Sequence, residues 1–383
     1  MKYVLTIIGL ICLMACSSEE TTRTAETAGS RERPVAFSDP YTVEPTRSSA
    51  KFTATTSLPM GQSMGVYAYL HNTETRNYSA DSPNFMWNQK ATRAVDGEPF
   101  TYEPMKYWPN DENSKLSFIA YFPYCNGTAD DGTDEDIAST GVTPRLTNSS
   151  TGLPTFDFTV KDAINDQVDF LVSEMLPNMP QTRDTDDDPH LPFNDLAITD
   201  RVTFLFKHMT AKVEFRIVAD AEIRKDIVKF QLTTLSVSNL YKSGRLTPEY
   251  NPSTGETTCT WSGQTTKQDY DFKTYEPQLL MPQTIGDDVE LNLEYEITFK
   301  SDGTTYHYEG STPVADQDYT YSNTASIQLN EMKRTGSDVA LTEWLPNHHY
   351  IYTIRLRANR IDFTGQVVEW GDTQDIEDIK IEE

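Results

Sequence analysis

The chain has 383 residues, and its 58 acidic side chains outnumber its 32 basic ones, for a formal net charge of -26. Nucleic-acid binding depends on clustered lysine and arginine, so this acidic chain is not expected to bind DNA or RNA. Intrinsic disorder is also excluded, because 20 Tyr, 17 Phe and 5 Trp side chains provide enough apolar surface for a core. At about 150 residues per domain, the length is that of two or three domains.

The first residues predict an exported lipoprotein. Lys2 supplies a positive charge, and residues 3–14 form an apolar run shorter than the roughly 20 residues that a helix needs to cross a bilayer. We expect residues 1–15 to be a signal peptide, with cleavage between Ala15 and Cys16 and a lipid on the Cys16 thiol. An ordinary signal peptide with a coincidental cysteine is the alternative.

The polar residues 16–33 predict a lipidated tether, because they lack apolar periodicity. Their acidic beginning resembles the export tag of surface lipoproteins. If Cys12 leaves with the signal peptide and Cys16 is acylated, only Cys125 and Cys259 remain in the body of the chain. These two are far apart in sequence, so we expect free thiols and no disulfide scaffold.

Strands are predicted throughout the body of the chain, because β-branched and aromatic residues dominate its apolar segments. The clearest segments are MGVYAYL at 64–70, LSFIAYF at 116–122, VEFRI at 213–217, LNLEYEITF at 291–299 and YIYTIRL at 350–356. The 21 Pro and 18 Gly residues favour short strands and many turns, with turns predicted at Ser243-Gly244 and Asp302-Gly303. Prolines and an acidic run between residues 177 and 200 suggest a domain boundary there.

Six further segments carry a family resemblance by their order and spacing. They are YWP at 107–109, LSFIAYFP at 116–123, DFLV at 169–172, FKHMTAKVEF at 206–215, LMPQT at 280–284, and the stretch from Trp344 to VEW at 368–370. Together with the lipidation signal, they resemble the fimbrillin family of Bacteroidales pilus proteins. The resemblance implies an all-β chain of two tandem transthyretin-like Greek-key β-sandwiches, at residues 48–190 and 191–371.

The resemblance also implies a way of assembly. In fimbrillins that form the shaft, an Arg-specific protease removes an N-terminal strand, and a strand of a neighbouring subunit fills the groove. Here residues 34–47 would be the removable strand, with Val35 and Phe37 on one face and cleavage between Arg47 and Ser48. The alternative is an ordinary first strand that is retained, as in anchor proteins and some tip proteins.

Two other arginines compete with Arg47 as the cleavage site. They are Arg31 and Arg33, although Pro34 disfavours cleavage after Arg33. The residue after Arg47 is Ser48, whereas a small apolar residue commonly follows the cut in the family.

The acidic C-terminal tail, residues 372–383, is the second element with a predicted role in assembly. Ile379 and Ile381 alternate there, as the side chains of a donor strand do. The tail could equally be a solvated chain end that lies on its own domain.

No catalytic motif is present in the sequence, so we expect neither an enzyme nor a cofactor. Neighbouring residues on a strand point to opposite faces, so His348 and His349 are not expected to share a site. His208 is expected to pack or to form hydrogen bonds rather than to bind a metal.

The sequence contains a partial match to the pattern of a calcium-binding loop. Its acidic positions would be Asp184, Asp186, Asp188 and Asp195. Pro189 replaces the glycine that the loop requires, so we expect a solvated acidic linker and no metal site.

Three aromatic residues could instead form a glycan platform. They are Trp87, Tyr107 and Trp108, and for Trp108 a core position is the preferred interpretation.

The sequence therefore predicts a stalk or tip subunit of a cell-surface pilus that serves adhesion. The expected partners are other pilus subunits, outer-membrane lipid through acylated Cys16, and a host protein or glycan. The expected location is the outer membrane and the fimbrium at the cell surface. The alternative is a surface lipoprotein that does not polymerise, either a pilus anchor or an adhesin for a host ligand or glycan.

Overall fold

Strands make up most of the chain that the structure describes. A computed structural model describes residues 33–44, 51–53, 58, 62–72, 78, 80–94, 99–109, 111, 113–126, 135–146, 151–179, 201–221, 227–300, 318–356, 361–368 and 370. Its sheets are largely antiparallel, which confirms the all-β prediction.

The strands follow one another with short connections or with connections outside the described ranges. They are β1 Tyr41–Glu44, β2 Lys51–Thr53, β3 Ser63–His71, β4 Met86–Thr92, β5 Lys115–Phe122, β6 Val142–Pro144, β7 Phe156–Thr159, β8 Leu171–Ser173, β9 Leu176–Met179, β10 Leu205–His208, β11 Ala211–Ala219, β12 Ile227–Asn251, β13 Glu256–Asp271, β14 Gln278–Leu280, β15 Gln283–Thr284, β16 Glu290–Phe299, β17 Tyr319–Gln328, β18 Lys333–Arg334, β19 Glu343–Trp344, β20 His349–Leu356 and β21 Ile361–Val368. Helix α1 spans Glu135–Thr140, and 3-10 helices span Ile164–Asp166 and Leu329–Glu331.

The first sheet, which we call the N-terminal sheet, has the strand order β2-β1-β10-β8-β5-β3-β4, with β9 paired to β5. Its centre is the antiparallel pair β3 and β5, in register from Gly65 opposite Tyr121 to His71 opposite Lys115. Almost every residue of β3 and β5 is buried. These strands are therefore covered on both faces, which explains why their sequences are nearly continuous apolar runs.

The two faces of the N-terminal sheet belong to different hydrophobic cores. The smaller core consists of the buried residues Val35, Phe37, Leu58, Met64, Val66, Ala68, Met86, Ala91, Phe100, Tyr102, Trp108, Leu116, Phe118, Ala120, Phe122, Leu171, Val202, Phe204 and Phe206. On the opposite face, Tyr67, Tyr69, Ile119 and Tyr121 belong to the larger core, which extends to Phe215 and other residues of the C-terminal half. The period-two alternation of β3 and β5 thus divides one sheet between two cores.

Two more sheets surround the larger core. One has the strand order β14-β11-β20-β21-β18, and the other has the order β17-β16-β12-β7-β6, with β13 paired to β12. Strands β11 and β20 run parallel over eight residue pairs, from Lys212 opposite His349 to Ala219 opposite Leu356. Strands β15 and β19 form a separate two-stranded antiparallel sheet.

Strand pairing crosses the boundary that the sequence predicted between residues 190 and 191, which itself falls outside the described ranges. Strand β10, from beyond that boundary, pairs with β8 in the N-terminal sheet. Strands β6 and β7, from before it, form a hairpin whose β7 pairs with β12. Hydrophobic packing and hydrogen bonding therefore join the two predicted sandwiches.

Strand β12 is longer than the short strands that the composition favours, and it contradicts the prediction of a turn at Ser243-Gly244. It runs for 25 residues, from Ile227 to Asn251, and pairs with β16 along its first part and with β13 along its second part. Register shifts against β13 between Val237 and Leu240, and between Ser243 and Arg245, break the ladder locally. Such β-bulges bend a strand without ending it, so the glycine at 244 lies within the strand.

We predict that Gly65→Ala destabilises the fold by about 1–3 kcal/mol, because the site is overpacked by a single methyl group. An added Cβ would lie 2.1 Å from Cε1 of Tyr121 and 2.8 Å from Oδ1 of Asn88. The ring of Tyr121 is held in place, because its hydroxyl donates to Asn88 Oδ1 at 2.8 Å. Urea unfolding of the two proteins measures the difference.

Gly244→Ala is the matched control, because its Cβ would meet the flexible end of the Met281 side chain, at 2.9 Å. Met281 is buried, but its unbranched side chain repacks more readily than a ring held by a hydrogen bond, so the control should lose less stability. Equal losses of unfolding free energy in the two variants would contradict the prediction.

Candidate functional site

The N-terminal segment, residues 33–40, is hydrogen-bonded as a strand between two neighbouring stretches of chain. On one side lies the stretch that ends at Trp108. The Val35 amide donates to the Lys106 carbonyl at 2.9 Å, and the Trp108 amide donates to the Arg33 carbonyl at 2.7 Å. The segment therefore begins as a paired strand and not as a loose chain end.

Backbone hydrogen bonding continues on the same side at Phe37, and on the other side the segment pairs with the stretch at Val202. The Phe100 amide donates to the Phe37 carbonyl at 3.2 Å. From the other side, the Val202 amide donates to the Ala36 carbonyl at 2.7 Å, and the Ser38 amide donates to the Val202 carbonyl at 3.0 Å. The segment runs antiparallel to the stretch at Phe100 and parallel to the stretch at Val202, so it occupies a central position between them.

The side chains of Val35 and Phe37 both enter the smaller core, and neither has any exposed surface. The Phe37 ring lies between Tyr102, Phe118 and Phe204, at centroid distances of 5.5, 6.2 and 5.6 Å. The sequence prediction that Val35 and Phe37 share one face agrees with this placement. Without the segment, these aromatic side chains would line an apolar groove.

The Tyr102 hydroxyl contacts the backbone of the N-terminal segment. It donates to the Val35 carbonyl at 2.6 Å and is also 3.3 Å from the Lys106 carbonyl. Burial raises the pKa of Tyr102 above its ordinary value, so the hydroxyl stays protonated and remains a donor. The Val35 carbonyl is therefore the nearer of two backbone acceptors for this hydroxyl.

Two residues after Phe37, Asp39 of the segment pairs with Arg93. The Asp39 carboxylate forms a salt bridge with the guanidinium of Arg93, whose side chain is only 1% exposed. Arg93 also donates from Nη2 to the Leu58 carbonyl at 2.7 Å and lies 5.8 Å from the centre of the Phe100 ring. The sequence analysis singled out neither Arg93 nor Asp39, although the spacing of Val35, Phe37 and Asp39 was visible as an alternation.

Beyond the segment, β1 extends the pairing to the edge of the N-terminal sheet. It runs parallel to β10, with Tyr41 opposite Leu205, and antiparallel to β2, with Thr42 opposite Thr53. The connection between β1 and β2 contains Arg47 and Ser48, which lie outside the described residues.

Several other predicted site residues also fall outside the described ranges. They are Ala15, Cys16, Ile379 and Ile381, together with the acidic residues Asp184, Asp186, Asp188 and Asp195 of the calcium-loop pattern.

Histidines 348 and 349 face different surroundings, as their neighbouring positions predict. His348 Nδ1 is 2.8 Å from the Pro346 carbonyl, whereas His349 Nε2 is 3.1 Å from Glu214 Oε2 in a buried cluster with Arg216. Burial raises the pKa of Glu214, but hydrogen bonds from His349 and Arg216 outweigh this effect and lower the pKa below its ordinary value. Arg216 pairs with Glu214 within β11, and the contact of His349 with Glu214 links β11 to β20.

His208 has a packing and hydrogen-bonding role, as the sequence analysis expected. It is buried, its Nδ1 is 2.8 Å from Asp169 Oδ1, and its ring stacks on Trp370 with centroids 4.0 Å apart. The contact ties β10 to residues far apart in the sequence.

The three aromatic residues proposed as a glycan platform are not brought to one face. Trp108 is buried in the smaller core, with its ring 5.9 Å from Phe118. Trp87 instead packs against the larger core, edge-on to Tyr67 at 5.3 Å. Tyr107 is 42% exposed.

Both cysteines of the described chain are free thiols, as predicted. Cys125 is fully buried and Cys259 is partly buried. Burial raises the pKa of Cys259 to about 12, so this thiol stays protonated and unreactive at neutral pH.

Within the described ranges, no cluster of three or more His, Cys, Asp and Glu side chains could hold a metal ion. A search of the same residues finds no helix with the length and hydropathy of a membrane span.

The fold and the site define an all-β protein in which an N-terminal segment completes a hydrophobic core by strand pairing. The model of the fimbrillin-like family matches residues 46–370, so the chain belongs to that family. Its members are structural proteins of fimbriae and not enzymes, in agreement with the sequence analysis.

One curated relative is Fimbrium subunit Fim1C of Phocaeicola vulgatus, which is 26% identical over 256 residues. The match covers 65% of this chain and 58% of the relative, so the chain spans less than two thirds of the length of that protein. Among solved structures, a fimbrial protein from Bacteroides vulgatus has a TM-score of 0.50 and 18% identity, over 80% of this chain and 92% of that one. This second likeness concerns the fold alone.

We predict that Phe37→Ala lowers the free energy of unfolding by about 3–5 kcal/mol, because it leaves a cavity among three aromatic rings. Chemical denaturation of the chain with its N-terminal segment intact measures the loss. Val339→Ala is the control, since Val339 is 59% exposed and its truncation should change stability little. A loss below 1 kcal/mol for Phe37→Ala would contradict the burial of this ring.

Proposed function

We propose that this chain is a stalk or tip subunit of a cell-surface pilus that serves adhesion. It is assembled by proteolytic removal of the N-terminal strand and its replacement by a strand of another subunit. The observation that carries the proposal is the position of the N-terminal segment, which is paired on both sides and fills the smaller core while belonging to the start of the chain. Cleavage of the β1–β2 connection would separate this first strand from the rest of the domain, so that only hydrogen bonds and packing would still hold it in place.

The chemistry of the groove supports replacement rather than simple loss. Removing the segment would uncover backbone groups at Val202, Phe100, Lys106 and Trp108 that now have partners in the segment. It would also expose the rings around Phe37. Unpaired strand edges beside apolar surface readily bind another strand, in which backbone hydrogen bonds supply affinity and alternate side chains supply register.

The place of cleavage has two supports. The family match begins at residue 46, immediately before Arg47, so the shared part of the family starts where the proposed cut lies. At the competing site, the Arg33 carbonyl accepts a hydrogen bond from the Trp108 amide, which holds that peptide bond in the folded structure and opposes its cleavage. Cleavage between Arg47 and Ser48 would release the whole segment together with β1.

The same proposal places the chain at the cell surface. Cleavage at Ala15 and lipidation at Cys16 would hold it in the outer membrane during export, and the polar residues 16–33 would be the tether. Other pilus subunits would be its partners, as the name of the relative Fim1C suggests. A host protein or glycan would be the target of adhesion.

A second candidate function is a surface lipoprotein that keeps its first strand, such as a pilus anchor or a monomeric adhesin. The burial of the N-terminal segment favours this second function. Val35, Ala36 and Phe37 have no exposed surface, and Asp39 pairs with buried Arg93. A strand with this burial and pairing should dissociate slowly from the domain, unless the incoming strand begins to pair before the first strand has left.

We predict that Arg47→Ala abolishes shortening of the purified precursor by an Arg-specific protease, because it removes the residue that the protease recognises. N-terminal sequencing of the product and unboiled gel electrophoresis of polymer ladders are the measurements. The variants Arg31→Ala and Arg33→Ala are the controls and should still be cut before Ser48. A new N terminus at Ser48 in the Arg47→Ala variant would refute the assignment of the site.

We also predict that deletion of residues 372–383 abolishes polymers and leaves N-terminal processing intact, because it removes the proposed donor strand. Thr373→Ala and Gln374→Ala, in the same tail, serve as controls and should polymerise normally. Undiminished ladders from the deletion variant would rule out donation by this tail. A processed wild-type protein that remains monomeric would instead favour the second candidate function.

A further inference from the structure

The buried guanidinium of Arg93 is a feature of the groove that apolar complementarity alone does not explain. An arginine side chain stays charged at any physiological pH, and a charge with 1% exposure is costly to hold without compensating partners. In the structure, one carboxylate that compensates it, Asp39, belongs to the N-terminal segment. Removal of the segment therefore takes this carboxylate away from the buried charge.

The register of the segment defines what a replacement strand has to provide. Val35, Phe37 and Asp39 are alternate residues of the segment, so their side chains lie on the same face. Hydrogen bonds to Phe100 and Val202 fix the backbone between them. A strand that repeats these hydrogen bonds in the same direction presents two apolar side chains to the smaller core and its next inward side chain to Arg93. An acid at that third position restores the salt bridge.

The C-terminal tail contains this pattern once. Its large apolar residues are Ile376, Ile379 and Ile381, and only the last two are two residues apart. When Ile379 and Ile381 take the positions of Val35 and Phe37, Glu383 takes the position of Asp39. A slip by one residue would turn both isoleucines away from the core, so the alignment is well defined.

We propose that Arg93 selects a carboxylate in the strand that replaces the N-terminal segment, and that Glu383 of a second copy of this chain supplies it. The inference rests on the proposed function and extends it to the specificity of the groove. The ion pair acts as a register lock: Ile379 and Ile381 provide the apolar contacts, and Glu383 fixes how far the tail is inserted. Charge-assisted hydrogen bonds from a guanidinium favour a carboxylate over a neutral amide of the same shape.

Two positions of the alignment are less well matched, and one of them places Glu382 where Ser38 is only 5% exposed. Lys380 falls where Ala36 is fully buried, so its long side chain has to pass its neighbours and bring the ammonium group to solvent. Lys380→Ala should therefore polymerise at least as well as the wild-type chain.

The test compares Glu383→Gln with Glu382→Gln in the full chain, after digestion with an Arg-specific protease. Both substitutions remove one negative charge from the same tail, but only Glu383 is aligned with Arg93. We expect at least a tenfold loss of polymer for Glu383→Gln on unboiled gels and no loss for Glu382→Gln, which removes a charge from the buried position of Ser38. Net charge alone would affect the two variants equally.

A second comparison uses Arg93→Met, which retains an apolar stem and removes the buried charge. In that background Glu383→Gln should change the polymer yield less than twofold, because the two substitutions remove the same interaction. If Arg93→Met fails to fold, as judged by its thermal unfolding, the comparison of the two glutamates still decides the question.

The outcomes separate this inference from the proposed function. Wild-type ladders with equal yields from Glu383→Gln and Glu382→Gln would overturn the selection by Arg93 and leave strand exchange standing. Processed wild-type chain that forms no ladder would overturn strand exchange and the inference with it.

Discussion

The smaller core depends on one strand that comes from the very start of the described chain. Between Arg33 and Ser38, backbone groups alternate between two neighbours, and the hydrogen bonds to them leave neither side of the segment as an open edge. Buried backbone groups need partners, and the apolar rings beneath them need cover. Both needs are met by the same few residues, so loss of the segment would leave backbone groups unpaired and apolar rings exposed.

The N-terminal sheet limits how far such a change would extend. Its central strands β3 and β5 face the smaller core on one side and the larger core on the other. The larger core contains no residue of the N-terminal segment and is built around β11, β12, β16 and β20. A sheet that is held from behind by an independent core can keep its strand order while its front face exchanges one strand for another. The proposed exchange of the N-terminal segment would therefore leave the larger core intact.

Charge acts on this protein at two scales. The net charge of -26 favours solubility and makes copies of the chain repel one another. Association then depends on specific contacts that outweigh the general repulsion. Arg93 is one buried positive group inside an acidic protein, and it lies where the N-terminal segment ends its inward-facing pattern. The proposed pairing of the acidic tail with Arg93 would join two chains whose net charges repel each other.

Sequence alone determined the all-β class, the family and the inward face of Val35 and Phe37, because strand periodicity and the order of motifs are local properties. It also indicated the separate surroundings of His348 and His349, since neighbours on a strand point in opposite directions. Only the tertiary structure decided that β10 joins the N-terminal sheet, that β7 pairs with β12, and that β12 continues through Gly244. It also decided that Arg93 meets Asp39, 54 residues away. These features depend on which distant strands share hydrogen bonds, and pairing between residues far apart in the chain leaves no mark on the local pattern of either partner.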